Sequence, residues 1–192
     1  MGKLKAPFPY FGGKGMVADQ VWNLLGNPEH YIEPFAGSLA VLLARPNGFN
    51  LPMGFDETVN DKDCIISNVW RSMKYDPEQT AFYSDDIISH VDLMAKKKYI
   101  NDNTEKLKIG MSNEPEFYDC KIAGYYIWAA SCWIGSGLTC PTQIPHLTDK
   151  GMGINKKKRP HLTSGMGINK MSNNNIYSWF EALSNRLRRL VS

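Results

Sequence analysis

The chain lacks the features that anchor or cross-link proteins by special means. None of its apolar runs approaches the ~20 residues needed to cross a membrane, and the opening MGKLKAPFPYFGGK has no apolar stretch behind its lysines. That excludes a secretory signal and predicts a cytoplasmic protein. The four cysteines, Cys64, Cys120, Cys132 and Cys140, include no pair at Cys-x-x-Cys spacing, and the four histidines do not cluster near them. No metal site or disulfide framework is therefore expected, and the thiols should be reduced and mostly buried. There is no Gly-x-Gly-x-x-Gly and no Gly-Lys-Ser/Thr. Nothing in the sequence suits a pyrophosphate or triphosphate, which argues against NAD and ATP as ligands.

What is present suits a soluble globular protein: 192 residues, 43% hydrophobic and 21% charged. A chain of this length builds one large domain, or one domain with a sizeable insertion. The net charge of +3 conceals an asymmetry. Residues 1–140 hold 13 basic and 17 acidic side chains, and residues 141–192 hold 9 basic and only Asp149 and Glu181 as acids. A basic block at one end fits either a polyanion partner or a solvated lysine-rich surface.

Periodicity predicts a helix over 14–25, with Val17, Val21, Leu24 and Leu25 on one face and Gly26 as its stop. A strand over 30–35 leads to a helix capped by Ser38 and ended by Pro46. A second strand over 57–61 leads to a helix over 62–74, with Ile65, Ile66, Val69 and Met73 as its apolar stripe. Alternating helices and strands of this kind open a doubly wound α/β sheet. The character then changes. Helices are expected at Asp76-Pro77, at Ser84-Asp85-Asp86 with Ile87, Ile88, Val91 and Met94 as its stripe, and at Glu114-Pro115, this last ending at Gly135-Ser136-Gly137.

An internal repeat follows. Pro145-His146-Leu147-Thr148 recurs at 160–163, and Gly151-Met152-Gly153-Ile154-Asn155-Lys156 recurs at 165–170. Two copies of this length are too few for a solenoid and suit a loop, a hairpin or an arm. Lys156, Lys157, Lys158 and Arg159 form a basic run between the copies and are candidate DNA contacts. Finally, Ile176, Trp179, Phe180, Leu183, Leu187 and Leu190 form one face of an amphipathic helix with Arg186 and Arg188 on its polar side. The chain thus divides into an α/β part over 1–74, a helical insertion over 75–140, a basic Gly-rich repeat loop over 141–172, and a helix over 173–192 that returns to the first part.

Three short motifs stand in order: Pro9-Tyr10-Phe11-Gly12-Gly13-Lys14, Tyr31-Ile32-Glu33-Pro34-Phe35-Ala36-Gly37-Ser38, and Asn60-Asp61. A glycine turn after the first strand admits close approach of a ligand to the backbone. A carboxylate after the second strand can accept both hydroxyls of a ribose. Asp61 is equally placed to cap the helix that follows it.

These segments, PYFGGK, YIEPFAGSLAVLLARP and ETVNDKD…NVWR, together with AGYYIWAASCWIGSG, resemble the opening motifs of the Dam-like (D12 class) DNA adenine-N6 methyltransferases. The resemblance runs in order over nearly the whole chain. It implies an incomplete Rossmann-like methyltransferase sheet with a helical DNA-recognition insertion, S-adenosylmethionine as cofactor and duplex DNA as partner. By the same resemblance Tyr10 and Lys14 face the cofactor's methionine end, Lys14 pairing with its carboxylate. Glu33, Phe35, Ala36 and Gly37 form the cofactor-facing turn, and Asp61 holds the ribose hydroxyls. Leu39 departs from the pattern, standing where many relatives have a further glycine. The family's catalytic Asp-Pro-Pro-Tyr is absent, so no catalytic residue is named. A truncated or split enzyme, inactive alone and completed by a second polypeptide, is the expectation. A non-catalytic nucleic-acid-binding module built on the basic C-terminal third is the alternative.

Overall fold

Two short strands set the frame of the computed structural model, which describes residues 6–46, 56–133 and 138–140 and the strand residues 147–148 and 151–152. Strand β1 (His30–Glu33) runs parallel to β2 (Asp56–Val59), with His30 opposite Asp56 and Glu33 opposite Val59. Parallel neighbours need a crossover, and the short helix α2 (Ala40–Leu43) lies on the path between them. Helix α1 (Ala18–Leu25) precedes β1, and α3 (Cys64–Tyr75) follows β2. The molecule is thus mixed helix and strand, in the element order expected up to Tyr75.

Side chains alternate across β1. Tyr31 and Glu33 face the core, and His30 and Ile32 face out. Tyr31 stacks on Trp22 of α1, with ring centroids 4.9 Å apart. The Trp22 indole donates to the Val41 carbonyl at 2.7 Å. This single residue turns α1 onto the sheet by a different face from the expected one. Ala18 and Trp22 are buried and Val21 of the expected face is half-buried against the core, whereas Val17, Leu24 and Leu25 are exposed. Arg45, at the end of α2, makes a buried ion pair with Glu57 of β2 at 2.9 Å. Residues 14–17 form turns rather than the first turn of α1.

Three helices follow: α4 (Pro77–Ser84), α5 (His90–Asn113) and α6 (Cys120–Cys132). Helix α6 is apolar on nearly every side and packs against α3, α4 and α5, as an all-round hydrophobic helix must. Gly124 permits its approach to α4, since a Cβ there would stand 2.8 Å from the Thr80 carbonyl oxygen. Asn68 of α3 exchanges two hydrogen bonds with the backbone of Asp119, at 2.9 and 2.7 Å. One hydrophobic cluster therefore runs from Trp22 and Tyr31 through Ile66, Val69 and Met73 to Ile100 and Ile127.

Helix starts differ from expectation where caps compete. Asp76 caps α4 as expected, accepting from the Gln79 N–H at 3.0 Å. Helix α3 is capped by Asp63, not Asp61, through the Ile65 N–H at 2.8 Å. Ser89 caps α5 instead of Ser84-Asp85-Asp86, and Asp119 caps α6 instead of Glu114. Consequently Ile87 and Val91 are exposed, and α5 buries Leu93, Lys96, Lys97, Ile100 and Leu107.

Two of those are lysines, whose stems pack while their ammonium groups find partners. Lys96 pairs with Asp86 at 2.5 Å and lies 4.0 Å from the Trp128 ring centre. Lys97 donates to the carbonyls of Leu138 and Cys140.

The four cysteines form no disulfide, and Cys132 alone among them is fully buried. No helix among the described residues is long and apolar enough to cross a membrane. Two short strands, β3 (Leu147–Thr148) and β4 (Gly151–Met152), pair antiparallel within the first copy of the repeat. The basic run 156–159, the second copy of the repeat, the 135–137 helix stop and the helix expected over 173–192 lie outside the described residues.

Candidate functional site

The polypeptide leaves the carboxyl end of β1 in a tight turn that the end of β2 braces. Asn60 N–H donates to the Glu33 carbonyl at 2.9 Å, and Ala36 N–H donates to the Asn60 carbonyl at 2.9 Å. Gly37 then takes φ 49°, a left-handed conformation in which a Cβ is strained. Its N–H donates to Asp61 Oδ2 at 2.8 Å, while Asp61 Oδ1 accepts the N–H of Asp63 at 2.9 Å. One carboxylate thus ties the turn after β1 to the turn after β2. The next residue but one, Leu39, also has a left-handed φ, of 53°. A glycine would take that conformation without cost, and here burial of the leucine side chain offsets the strain.

The N-terminal motif closes over this turn. Gly13 N–H donates to the Tyr10 carbonyl at 2.9 Å, in a turn that places the Tyr10 ring against Gly37. A Cβ on Gly37 would stand 2.8 Å from that ring. Lys14 Nζ donates to the Phe35 carbonyl at 3.3 Å. The result is an open, shallow cleft lined by Tyr10, Lys14, Glu33, Phe35, Ala36 and Gly37 among others. All six were candidates from the sequence. The seventh, Asp61, is joined to the lining through the Gly37 N–H. The candidate DNA contacts Lys156, Lys157, Lys158 and Arg159 lie outside the described residues.

The electrostatics are those of a buried carboxylate beside an exposed cation. Glu33 is only 6% exposed, and burial pushes its pKa above the ordinary carboxylate value. The Tyr31 hydroxyl, which donates to Glu33 at 3.0 Å, opposes that rise, as do Lys14 and the Leu42 N–H. Burial likewise raises Asp63 and Tyr10, the negative charge of Asp61 adding to both. Phe35 is 74% exposed at the cleft mouth. The cleft therefore sets a cation and an exposed aromatic ring beside the buried carboxyl group of Glu33. The cleft is open to solvent and does not enclose a molecule of nucleoside size, so such a ligand would stay largely in contact with water there.

Several groups that shape the cleft were not singled out from the sequence. Trp70 Nε1 donates to the Gly37 carbonyl at 2.9 Å. Phe8, 2% exposed, packs edge-on to Tyr10 and to Tyr126. The pKa of Tyr126, on α6, is raised by burial and then by the charges of Asp63, Tyr10 and Asp61. Trp70 stands outside the expected stripe of Ile65, Ile66, Val69 and Met73 and appears only within the NVWR segment of the family resemblance, with nothing to mark its indole N–H. Among the described residues no group of three or more His, Cys, Asp or Glu is arranged to hold a metal. No family model, curated protein or solved structure matches this chain.

Proposed function

We propose that the chain is the cofactor-binding part of an S-adenosylmethionine-dependent DNA adenine-N6 methyltransferase, on an incomplete doubly wound α/β sheet. One observation carries the reading. Three motifs far apart in sequence converge where adenosine cofactors bind open α/β sheets, outside the carboxyl ends of the strands, with Gly37 held at once by Asp61 and Tyr10.

The donor set fits the cofactor. Lys14 is exposed beside the cleft and can pair with a carboxylate. Asp61 gives one lone pair on each oxygen to a backbone N–H, which leaves acceptor capacity for ribose hydroxyls. Tyr10 and Phe35 supply apolar surface. The cofactor would supply an electrophilic methyl group. None of these residues activates an acceptor, and no Asp-Pro-Pro-Tyr occurs among the 192 residues.

Orientation of a flipped adenine therefore has to come from another segment or a second polypeptide, and without it the barrier loses a large share of its reduction. A cytoplasmic location and duplex DNA as partner go with this reading. Calorimetric titration with S-adenosylmethionine should show weak binding, and Asp61→Ala should weaken it at least about tenfold, roughly 1.4 kcal/mol. No binding at millimolar cofactor, or equal binding by the variant, overturns the reading. Methyl transfer to duplex DNA should be absent until a fragment bearing the missing motif is added.

A non-catalytic nucleic-acid-binding module is the second reading, favoured by the basic excess of residues 141–192. It predicts DNA binding that falls steeply with salt as Lys156, Lys157, Lys158 and Arg159 release counterions, with no response to the cofactor.

A further inference from the structure

The glycine turn of the cleft is held from three sides. The Gly37 N–H is fixed by Asp61, its carbonyl accepts the Trp70 indole N–H at 2.9 Å, and the Tyr10 ring covers its α-carbon. Behind these groups stands one buried ring. Phe8 lies 6.4 Å from Tyr10 and 5.7 Å from Tyr126, edge-on to both, and 6.3 Å from Trp70. It therefore packs against Tyr10, which covers the turn, Trp70, which binds its carbonyl, and Tyr126 of α6.

We propose that Trp70 and Phe8 are positioning residues of this cleft, acting on a ligand through Gly37 and Tyr10 without touching it. The inference rests on the cleft being the ligand site and deepens that reading. A glycine adopts positive and negative φ about equally; at φ 49° Gly37 is the second residue of a turn closed by the Leu39 N–H on the Ala36 carbonyl at 2.8 Å, and the contacts to Asp61, Trp70 and Tyr10 add to that local hold. The peptide joining Gly37 to Ser38 is planar, with its carbonyl and N–H pointing in opposite directions. By binding the Gly37 carbonyl, Trp70 also sets the direction of the Ser38 N–H, and Ser38 is part of the cleft lining. Trp70 thus decides whether a donor or an acceptor of this peptide is turned to the ligand. Phe8 does the corresponding work for Tyr10, whose ring would otherwise be free to swing off Gly37.

Trp22 provides an internal control. Its indole N–H also donates to a backbone carbonyl, that of Val41 at 2.7 Å, and it is buried in the same core, but Val41 is not part of the cleft lining. Loss of either indole N–H by Trp→Phe should weaken the fold similarly.

The experiment compares Trp70→Phe, Trp22→Phe and Phe8→Leu in the full chain by two readouts, amide hydrogen exchange and calorimetric titration with S-adenosylmethionine. Trp70→Phe should speed exchange of the Gly37 amide about tenfold more than that of Ile127 in the core, because the opening is local. It should also weaken cofactor binding about tenfold. Phe8→Leu should act in the same direction, and Trp22→Phe should lower the melting temperature without either effect. Gly37 exchange that responds equally to Trp70→Phe and Trp22→Phe overturns the proposal, as does unchanged binding in Trp70→Phe beside intact binding by the parent. A parent that binds no S-adenosylmethionine, with Gly37 exchange still selectively raised by Trp70→Phe, overturns the cofactor reading and supports the positioning of the turn.

Discussion

At Gly37 two constraints meet that a side chain cannot satisfy together: φ is 49°, and the Tyr10 ring occupies the space of a Cβ. Gly37→Ala should therefore destabilise the protein by about 1–3 kcal/mol, the range for a strained backbone site with poor room to relax. Adding Tyr10→Ala removes the clash but not the backbone strain, so a deficit of about 1 kcal/mol should persist in the double variant. Denaturant unfolding of Gly37→Ala, Tyr10→Ala and the double variant measures both parts, and a double variant as stable as Tyr10→Ala would assign the whole effect to the ring.

Glu33 makes a prediction in pH. Burial raises its pKa in the folded state, so the folded protein holds that proton more tightly than the unfolded chain. The stability this contributes is present below the unfolded value of about 4.3 and is lost as pH rises through the folded pKa. Glu33→Gln should accordingly be more stable than the parent at neutral pH, with the gap closing in acid. Thermal melts across pH check the sign, and a gap that widens in acid refutes it.

Among the elements, α5 shows how a cap decides a boundary. Ser84, Asp85 and Asp86 offer as good a start signal as Ser89, yet each of the first and last is engaged elsewhere. The Ser84 hydroxyl donates to the Ala81 carbonyl at 2.9 Å, and Asp86 pairs with the buried Lys96. Ser89 remains to accept the Asp92 N–H at 3.0 Å. Ser89→Ala should cost about 1 kcal/mol, and Asp85→Ala, on an exposed residue, under about 0.5 kcal/mol. Equal losses in denaturant unfolding would move the helix start back to the earlier cluster. The apolar stripe shifts with the boundary, which is why Leu93 and Ile100 are in the core while Ile87 and Val91 are exposed.

For the molecule as a whole, the described residues cover the β1–β2 sheet on one face only. Tyr31 and Glu33 face α1 and the cleft, while Ile32 is 68% exposed and its neighbour Thr58 is also exposed. Parallel sheets are normally buried on both faces, so this surface is prone to self-association. Ile32→Thr should leave stability within about 0.5 kcal/mol of the parent while lowering the scattering that develops in concentrated samples. A large loss of stability would mean that the side chain is packed in solution.

The element order up to Tyr75 was legible in the sequence, because apolar spacing and punctuation by Gly, Pro and cap residues are local signals. The stripe Ile65, Ile66, Val69 and Met73 and the Asp76-Pro77 helix start are cases in point. The six lining residues Tyr10, Lys14, Glu33, Phe35, Ala36 and Gly37 are grouped in the sequence only by the resemblance of their motifs to a known family, and Asp61 stands one hydrogen bond behind that lining. Only the tertiary structure decided how those groups are used. Asp61 bonds Gly37 while Asp63 caps α3, a choice between two carboxylates two residues apart that depends on a partner 24 residues away. Trp22 chose the buried face of α1 by reaching Tyr31 and Val41, and Trp70 reached Gly37 across 33 residues. Side-chain periodicity reports which face is apolar, but the direction of one indole N–H or one carboxylate is settled by groups that only folding brings near.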